Sequence, residues 1–174
     1  LIFFWCVSKK EGYYILTIGF AGTVVNQFLK LWFRIPRPWV RDPDFKPIKS
    51  AIPEASGYSF PSGHTQTSVG VFGGIARLNK NIIIRIVCIA ACLLVPLSRM
   101  YLGVHTPADV GVSFIIATLM VIFLRPIVFK AVESPKNMRF FLGTMLAVSV
   151  LYLAFVLLYR FPENVDKDNL TSGV

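Results

Sequence analysis

The stretch IIIRIVCIAACLLVPLSRMYL, Ile82 to Leu102, decides the fold class. Apart from Ser98 and two charges, Arg85 near one end and Arg99 near the other, it is apolar throughout. A helix of that length crosses the roughly 30 Å hydrocarbon core of a bilayer. Pro96 is expected to kink it, and a kinked membrane helix often borders a site. The composition agrees with a membrane setting. The chain is 55% hydrophobic and 16% charged, with a mean hydropathy of +0.62, whereas soluble domains carry roughly a quarter charged residues.

Working outward, Asn79 to Asn81 turns the chain, and Ser62 to Leu78 reads as a slightly short span. Its glycines Gly70, Gly73 and Gly74 suit close helix contacts in lipid. Before it lies a polar stretch, Arg34 to Phe60, whose five prolines (Pro36, Pro38, Pro43, Pro47, Pro53) exclude a continuous helix. Tyr13 to Phe33 reads as the first full span. On the other side, Thr106 to about Val128 and Phe140 to Tyr159 read as the fourth and fifth, with a basic loop through Lys130, Glu133, Lys136 and Arg139 between them. The fold class expected is therefore all-α, an integral-membrane bundle of about five complete transmembrane helices. Leu1 to Val7 is expected to be the end of a truncated first helix. The chain divides into a membrane-embedded domain over 1–160 and a polar C-terminal tail over 161–174.

The formal charge of +9 raises nucleic acid as a partner. Half of the Lys and Arg lie in short loops between apolar blocks, however, and no nucleic-acid motif accompanies them. Alternating helices place Lys9, Lys10, Arg77, Lys80, Arg85, Arg125, Lys130, Lys136 and Arg139 on one face, which the positive-inside rule assigns to the cytoplasm. Cys88 and Cys92, one helical turn apart in an apolar block, read as packing residues; their spacing fits neither zinc nor a disulfide.

The opposite face collects three polar clusters at helix ends: Lys30 to Pro38, Pro61 to His64, and Ser98 to Asp109. Ionisable groups at membrane depth are costly and ask for a partner or a function. Taken singly, each has a structural explanation. Ser62 can be an N-cap and Gly63 a helix start; Thr106, Pro107 and Asp109 can be another helix start. His105 can be a packed interfacial histidine, and Lys30 and Arg99 can snorkel. Arg37-Pro38 can be an ordinary loop dipeptide. These explanations leave the convergence on one face unaccounted for. Lys30, Arg37 and Arg99 bring three positive charges, two of them guanidinium forks matched to phosphate. Two helix N-termini add free N–H groups, and both histidines of the chain sit there. Trp32, Trp39, Tyr58 and Tyr101 suit an aromatic belt at the same level.

Written as patterns, the clusters are K-x6-R-P, P-S-G-H and S-R-x5-H-x3-D. In them the chain closely resembles the type 2 phosphatidic acid phosphatase superfamily, which includes bacterial acid phosphatases and vanadium haloperoxidases; the apolar flanks resemble its membrane branch. The resemblance implies a lipid phosphatase in which His105 attacks phosphorus and forms a phosphohistidine. Asp109 would orient His105, and His64 would protonate the leaving oxygen and then activate water. Lys30, Arg37 and Arg99 would hold the phosphate, with hydrogen bonds from Ser62, the Gly63 amide and Ser98. No metal and no cofactor are implied. The substrate would be a lipid phosphate or diphosphate in the plasma membrane, met on the extracytoplasmic face. A lipid-linked phosphotransferase and a non-catalytic transport protein are the alternatives, the second expected to have lost a catalytic group.

Overall fold

The structure is a computed structural model that describes residues 8–158 except 43 and 56. The apolar run Leu1–Val7 and the tail from Phe161 lie outside the described residues. Five long helices make the fold: α1 (Lys9–Phe33), α3 (Gly63–Leu78), α4 (Ile82–Tyr101), α5 (Pro107–Val132) and α6 (Pro135–Leu158). A single turn, α2 (Pro38–Arg41), and a 3₁₀ turn at Lys49–Ala51 punctuate the proline-rich connection. Among the described residues there is no strand. Four of the long helices are long and apolar enough to cross a membrane, and α3, with 16 residues, is the short one.

Local chemistry sets the ends. The Asn81 side chain accepts from the Ile83 and Ile84 amides and opens α4. Thr106 and Asp109 form a capping box, with Pro107 at the first helical position, and open α5. Two expected boundaries move. Helix α1 begins at Lys9 rather than Tyr13, because Lys9, Lys10 and Glu11 are good helix formers that hydropathy reads as loop. The expected basic loop from Lys130 through Arg139 shrinks to Glu133 and Ser134, since α5 runs to Val132 and α6 starts at Pro135. The signal was Ser134-Pro135: the Ser134 hydroxyl accepts from the Lys136 amide, and a proline at the first helical position needs no N–H partner.

Helix α3 is the hub, packing on α1, α4 and α5, while α6 leans on α5 alone in any breadth. Gly70 and Gly74 allow this. A Cβ at Gly70 would lie 2.8 Å from Ile18, and one at Gly74 2.7 Å from Ile15 and 3.2 Å from Ile18. Ile18 is itself core, clustered with Tyr14, Val121 and Val128, so it has little room to yield. Cys92 packs between Val69 and Ala117, as the spacing suggested, and Cys88 is buried too. Helix α4 continues through Pro96, and α5 through Pro126.

Candidate active site

The bundle brings the three sequence clusters to one end. Lys30 sits in the last turn of α1, and Arg37 directly precedes α2. His64 is in the first turn of α3 and Arg99 in the last turn of α4. His105 stands two residues before α5, and Asp109 lies in its first turn. Gly103 makes the sharp passage from α4 to His105. It has φ +72, and a Cβ there would lie 3.0 Å from Phe45 and 3.3 Å from Pro47.

His105 is the best-defined group. Arg37 Nη1 lies 3.0 Å from its Nε2, and a guanidinium nitrogen can only donate. Nε2 is therefore the acceptor and the ring proton sits on Nδ1, which faces Asp109 Oδ2 at 3.6 Å. Such contacts often tighten only when substrate is bound. The same Oδ2 accepts from Ser59 Oγ at 2.6 Å and from the Thr106 amide at 2.7 Å. One carboxylate oxygen thus closes the capping box and also stands 3.6 Å from His105 Nδ1, which is buried without a hydrogen bond among the described residues. Burial, above all, lowers the His105 pKa from its ordinary value to about 4. Asp109 opposes that shift, and the charges of Arg37 and Lys30 reinforce it. At neutral pH the ring is an uncharged imidazole with its Nε2 lone pair directed at a guanidinium.

The cations are held by backbone. Arg37 donates from Nε to the Gly57 carbonyl at 3.1 Å and from Nη1 to that of Val104 at 2.9 Å. Lys30 Nζ donates to the Tyr58 carbonyl at 2.6 Å. Both side chains are buried, and both line a cavity of about 700 Å³ with Gly63, His64, His105 and Glu54. The cavity is floored by α3 and walled by α1 on one side and Val95 of α4 on the other. His64 is exposed to it while His105 is buried at its back.

The remaining expected residues are placed less directly. Ser62 is fully buried; its hydroxyl takes the Thr65 amide as an N-cap, and its own amide donates to the Asp109 carbonyl at 3.2 Å, pinning the start of α3 to the start of α5. Arg99 lies close enough for its charge to act on His64 and Arg37, and its Nε is buried with no hydrogen-bond partner. Ser98 is exposed and returns its hydroxyl to the Val95 carbonyl, away from the cavity. Of the four aromatic residues, Trp32 and Tyr101 are exposed at this level, whereas Tyr58 is buried beneath the site and Trp39 packs on the Ala51–Val104 cluster.

Two site residues escaped the sequence reading. Ser59 reaches Asp109 across fifty positions, and nothing in its surroundings marks it. Asn26 carried a signal, one turn before Lys30 on the same face of α1. It is buried, lines the cavity, and donates to the Pro61 carbonyl at 3.4 Å. No cluster of three or more His, Cys, Asp or Glu able to hold a metal occurs among the described residues.

Comparison with known proteins agrees with the motifs. The profile of the PAP2 superfamily matches residues 11–133. Undecaprenyl-diphosphatase BcrC of Bacillus subtilis (strain 168) is 34% identical over 113 residues, which cover 65% of this chain and 55% of that protein. Phosphatidylglycerophosphatase B of the same organism is 31% identical over 119 residues, 63% of this chain and 54% of its own length. The chain thus spans about half the length of each relative. No solved structure matches it significantly.

Proposed function

The chain belongs to the PAP2 superfamily, and on that premise we propose that it is a membrane lipid phosphatase working through a phosphohistidine without a metal ion. Both B. subtilis relatives are named for hydrolysing lipid-linked phosphates, of undecaprenyl diphosphate and of phosphatidylglycerol phosphate. The observation that carries the mechanism is the environment of His105: proton on Nδ1 toward Asp109, lone pair on Nε2, and His64 in the same cavity.

A substrate phosphate is a stronger acceptor than an imidazole nitrogen, so it draws the Arg37 guanidinium to its own oxygens and frees Nε2. Nε2 then attacks phosphorus in line, and the bond to the lipid oxygen breaks. His64 protonates that oxygen, and the positive charge developing on His105 is balanced by Asp109. In the second half, His64 takes a proton from water as its oxygen attacks phosphorus. The P–N bond breaks, and its electron pair returns to Nε2. Lys30, Arg37 and Arg99 stabilise the added charge on the equatorial oxygens in both halves. The site faces the extracytoplasmic side of the plasma membrane, because the shorter basic connections lie at the other end of the bundle.

The test uses full-length protein in detergent with EDTA and a short-chain phosphatidate. Phosphate release is expected, together with an alkali-stable, acid-labile protein phosphate on rapid quenching. His105→Ala should abolish both, and turnover surviving that change would remove the nucleophile. Activity lost to EDTA and restored by magnesium would overturn the metal-free step. A cysteine at the exposed Ser50 should react with an impermeant thiol reagent on intact cells; labelling only after lysis would reverse the orientation.

A further inference from the structure

The catalytic cavity continues into the bilayer as a groove, and its walls keep register with a particular headgroup. On α1, Lys30, Gln27 and Thr23 follow one another at helical spacing; on α3, His64, Thr67 and Val71 do the same in the opposite direction, and all six line the cavity. Gln27 and Thr67 each lie three residues inward of the phosphate level, about 4.5 Å at a helical rise of 1.5 Å per residue. Further inward, the α3 and α4 sides of the wall present Val71, Phe72 and Val95. Helices α1 and α4 both pack on α3 without packing broadly on each other, so the groove opens sideways toward lipid.

The polar step in this wall keeps its hydrogen-bonding capacity open. Thr17, Ser68, Ser113, Thr144 and Ser149 satisfy their hydroxyls on a carbonyl three or four residues back, as membrane helices require. The side chains of Thr23, Gln27 and Thr67 make no hydrogen bond among the described residues, a state they share with Thr118 of α5. Thr23 and Thr67 are exposed and Gln27 half-buried, so these donors are open to a ligand that enters the groove.

We propose that Gln27 and Thr67, with Thr23 below them, form a subsite for the ester oxygens of a glycerol phosphate lipid. This rests on the phosphatase reading and narrows its substrate to acylglycerol phosphates over polyprenyl diphosphates. In an acylglycerol phosphate the acyl esters begin on the second glycerol carbon from the phosphate, the level at which the open amide and hydroxyl stand. A polyprenyl chain offers no acceptor there. A diphosphate would also bring extra negative charge into a cavity that has Glu54 on its wall and whose lining cations are Lys30 and Arg37.

The experiment compares kcat/KM for dioctanoylglycerol phosphate, its diether analogue lacking both carbonyls, and farnesyl diphosphate, in full-length protein. Wild type should favour the diester over the diether by about tenfold, one hydrogen-bonded group's worth of discrimination, and should favour it over farnesyl diphosphate as well. In Gln27→Leu/Thr67→Val the diester-to-diether ratio should fall toward one. A wild-type ratio near one, a ratio unmoved in the double variant, or preference for farnesyl diphosphate overturns the subsite. The wild-type ratios need no variant to fold. Failure of all three lipids to release phosphate would instead sink the phosphatase reading.

Discussion

Both ends of the helical bundle gather basic side chains, and the two gatherings differ in what the cations touch. At the cavity end, Lys30 and Arg37 are buried, fixed by loop carbonyls, and turned toward His105. At the far end, Arg77 is exposed and donates to the Val121 and Ile122 carbonyls of α5. Pro126 explains that contact: it has no N–H to give the carbonyl four residues earlier, and Arg77 supplies the missing donor to Ile122. Lys10 and Arg125 lie over the Phe129 ring at 4.7 and 4.9 Å, and Lys130 and Lys136 are exposed. Side chains of the same charge therefore line a candidate site at one end and repair a helix at the other. The difference lies in whether the cation meets a buried imidazole beside a cavity or a carbonyl orphaned by proline.

Substitutions at the two ends should separate accordingly. Arg37→Gln should lower kcat/KM for a lipid phosphate by about 10²–10³, the usual loss for a donor aimed at transition-state charge, and should lower the melting temperature too, since it frees the Gly57 and Val104 carbonyls. Arg77→Gln should lower the melting temperature and leave kcat/KM near wild type. A fall in kcat/KM of similar size for both would erase the distinction. A smaller effect is expected at Ser59. Among the described residues it is one of two hydrogen-bond donors to Asp109 Oδ2, so Ser59→Ala should cost about tenfold in kcat while leaving KM near wild type. A change in KM alone would place Ser59 in substrate binding instead.

Much of this was legible in sequence, for reasons that differ by region. The apolar blocks announced helices because lipid leaves the backbone no other partner. Helix ends were less legible, because Lys9, Lys10, Lys136 and Arg139 can be helical while reaching polar surroundings, and only a cap such as Ser134-Pro135 marks the true boundary. The placement of Lys30, Arg37, His64, His105 and Asp109 together followed from motifs at helix termini. Ser59, the free bonding capacity of Gln27 and Thr67, and Ser98's turn away from the cavity were not legible, since each depends on packing between segments distant in sequence.

The repair at Arg77 can be isolated by restoring what the proline removes. Arg77→Gln alone should lower stability by about 1 kcal/mol, the net worth of one hydrogen bond, or a few degrees in Tm. Pro126→Ala returns an N–H to Ile122, so in that background the same substitution should cost measurably less. Equal costs in both backgrounds would show that Arg77 acts through something other than the orphaned carbonyl.

The smallest effect concerns protonation, and it again sets one end against the other. For the proposed attack His105 must be neutral, and with its pKa lowered to about 4 the limb it sets in kcat/KM should lie well below pH 6. The substrate phosphate has its own titration near pH 6, so wild type alone does not assign the limb; the difference between variants does, because the substrate's contribution cancels. Burial is the main cause of the shift and the Arg37 charge a lesser one. Arg37→Gln should therefore move the limb upward by less than about one pH unit in the residual activity. Arg125→Gln removes an equal charge roughly a membrane's thickness away, several Debye lengths in salt, and should leave the limb in place. If both variants shifted it alike, net charge rather than the local contact at Nε2 would be setting the nucleophile's protonation, and the pairing of Arg37 with His105 would lose its mechanistic meaning.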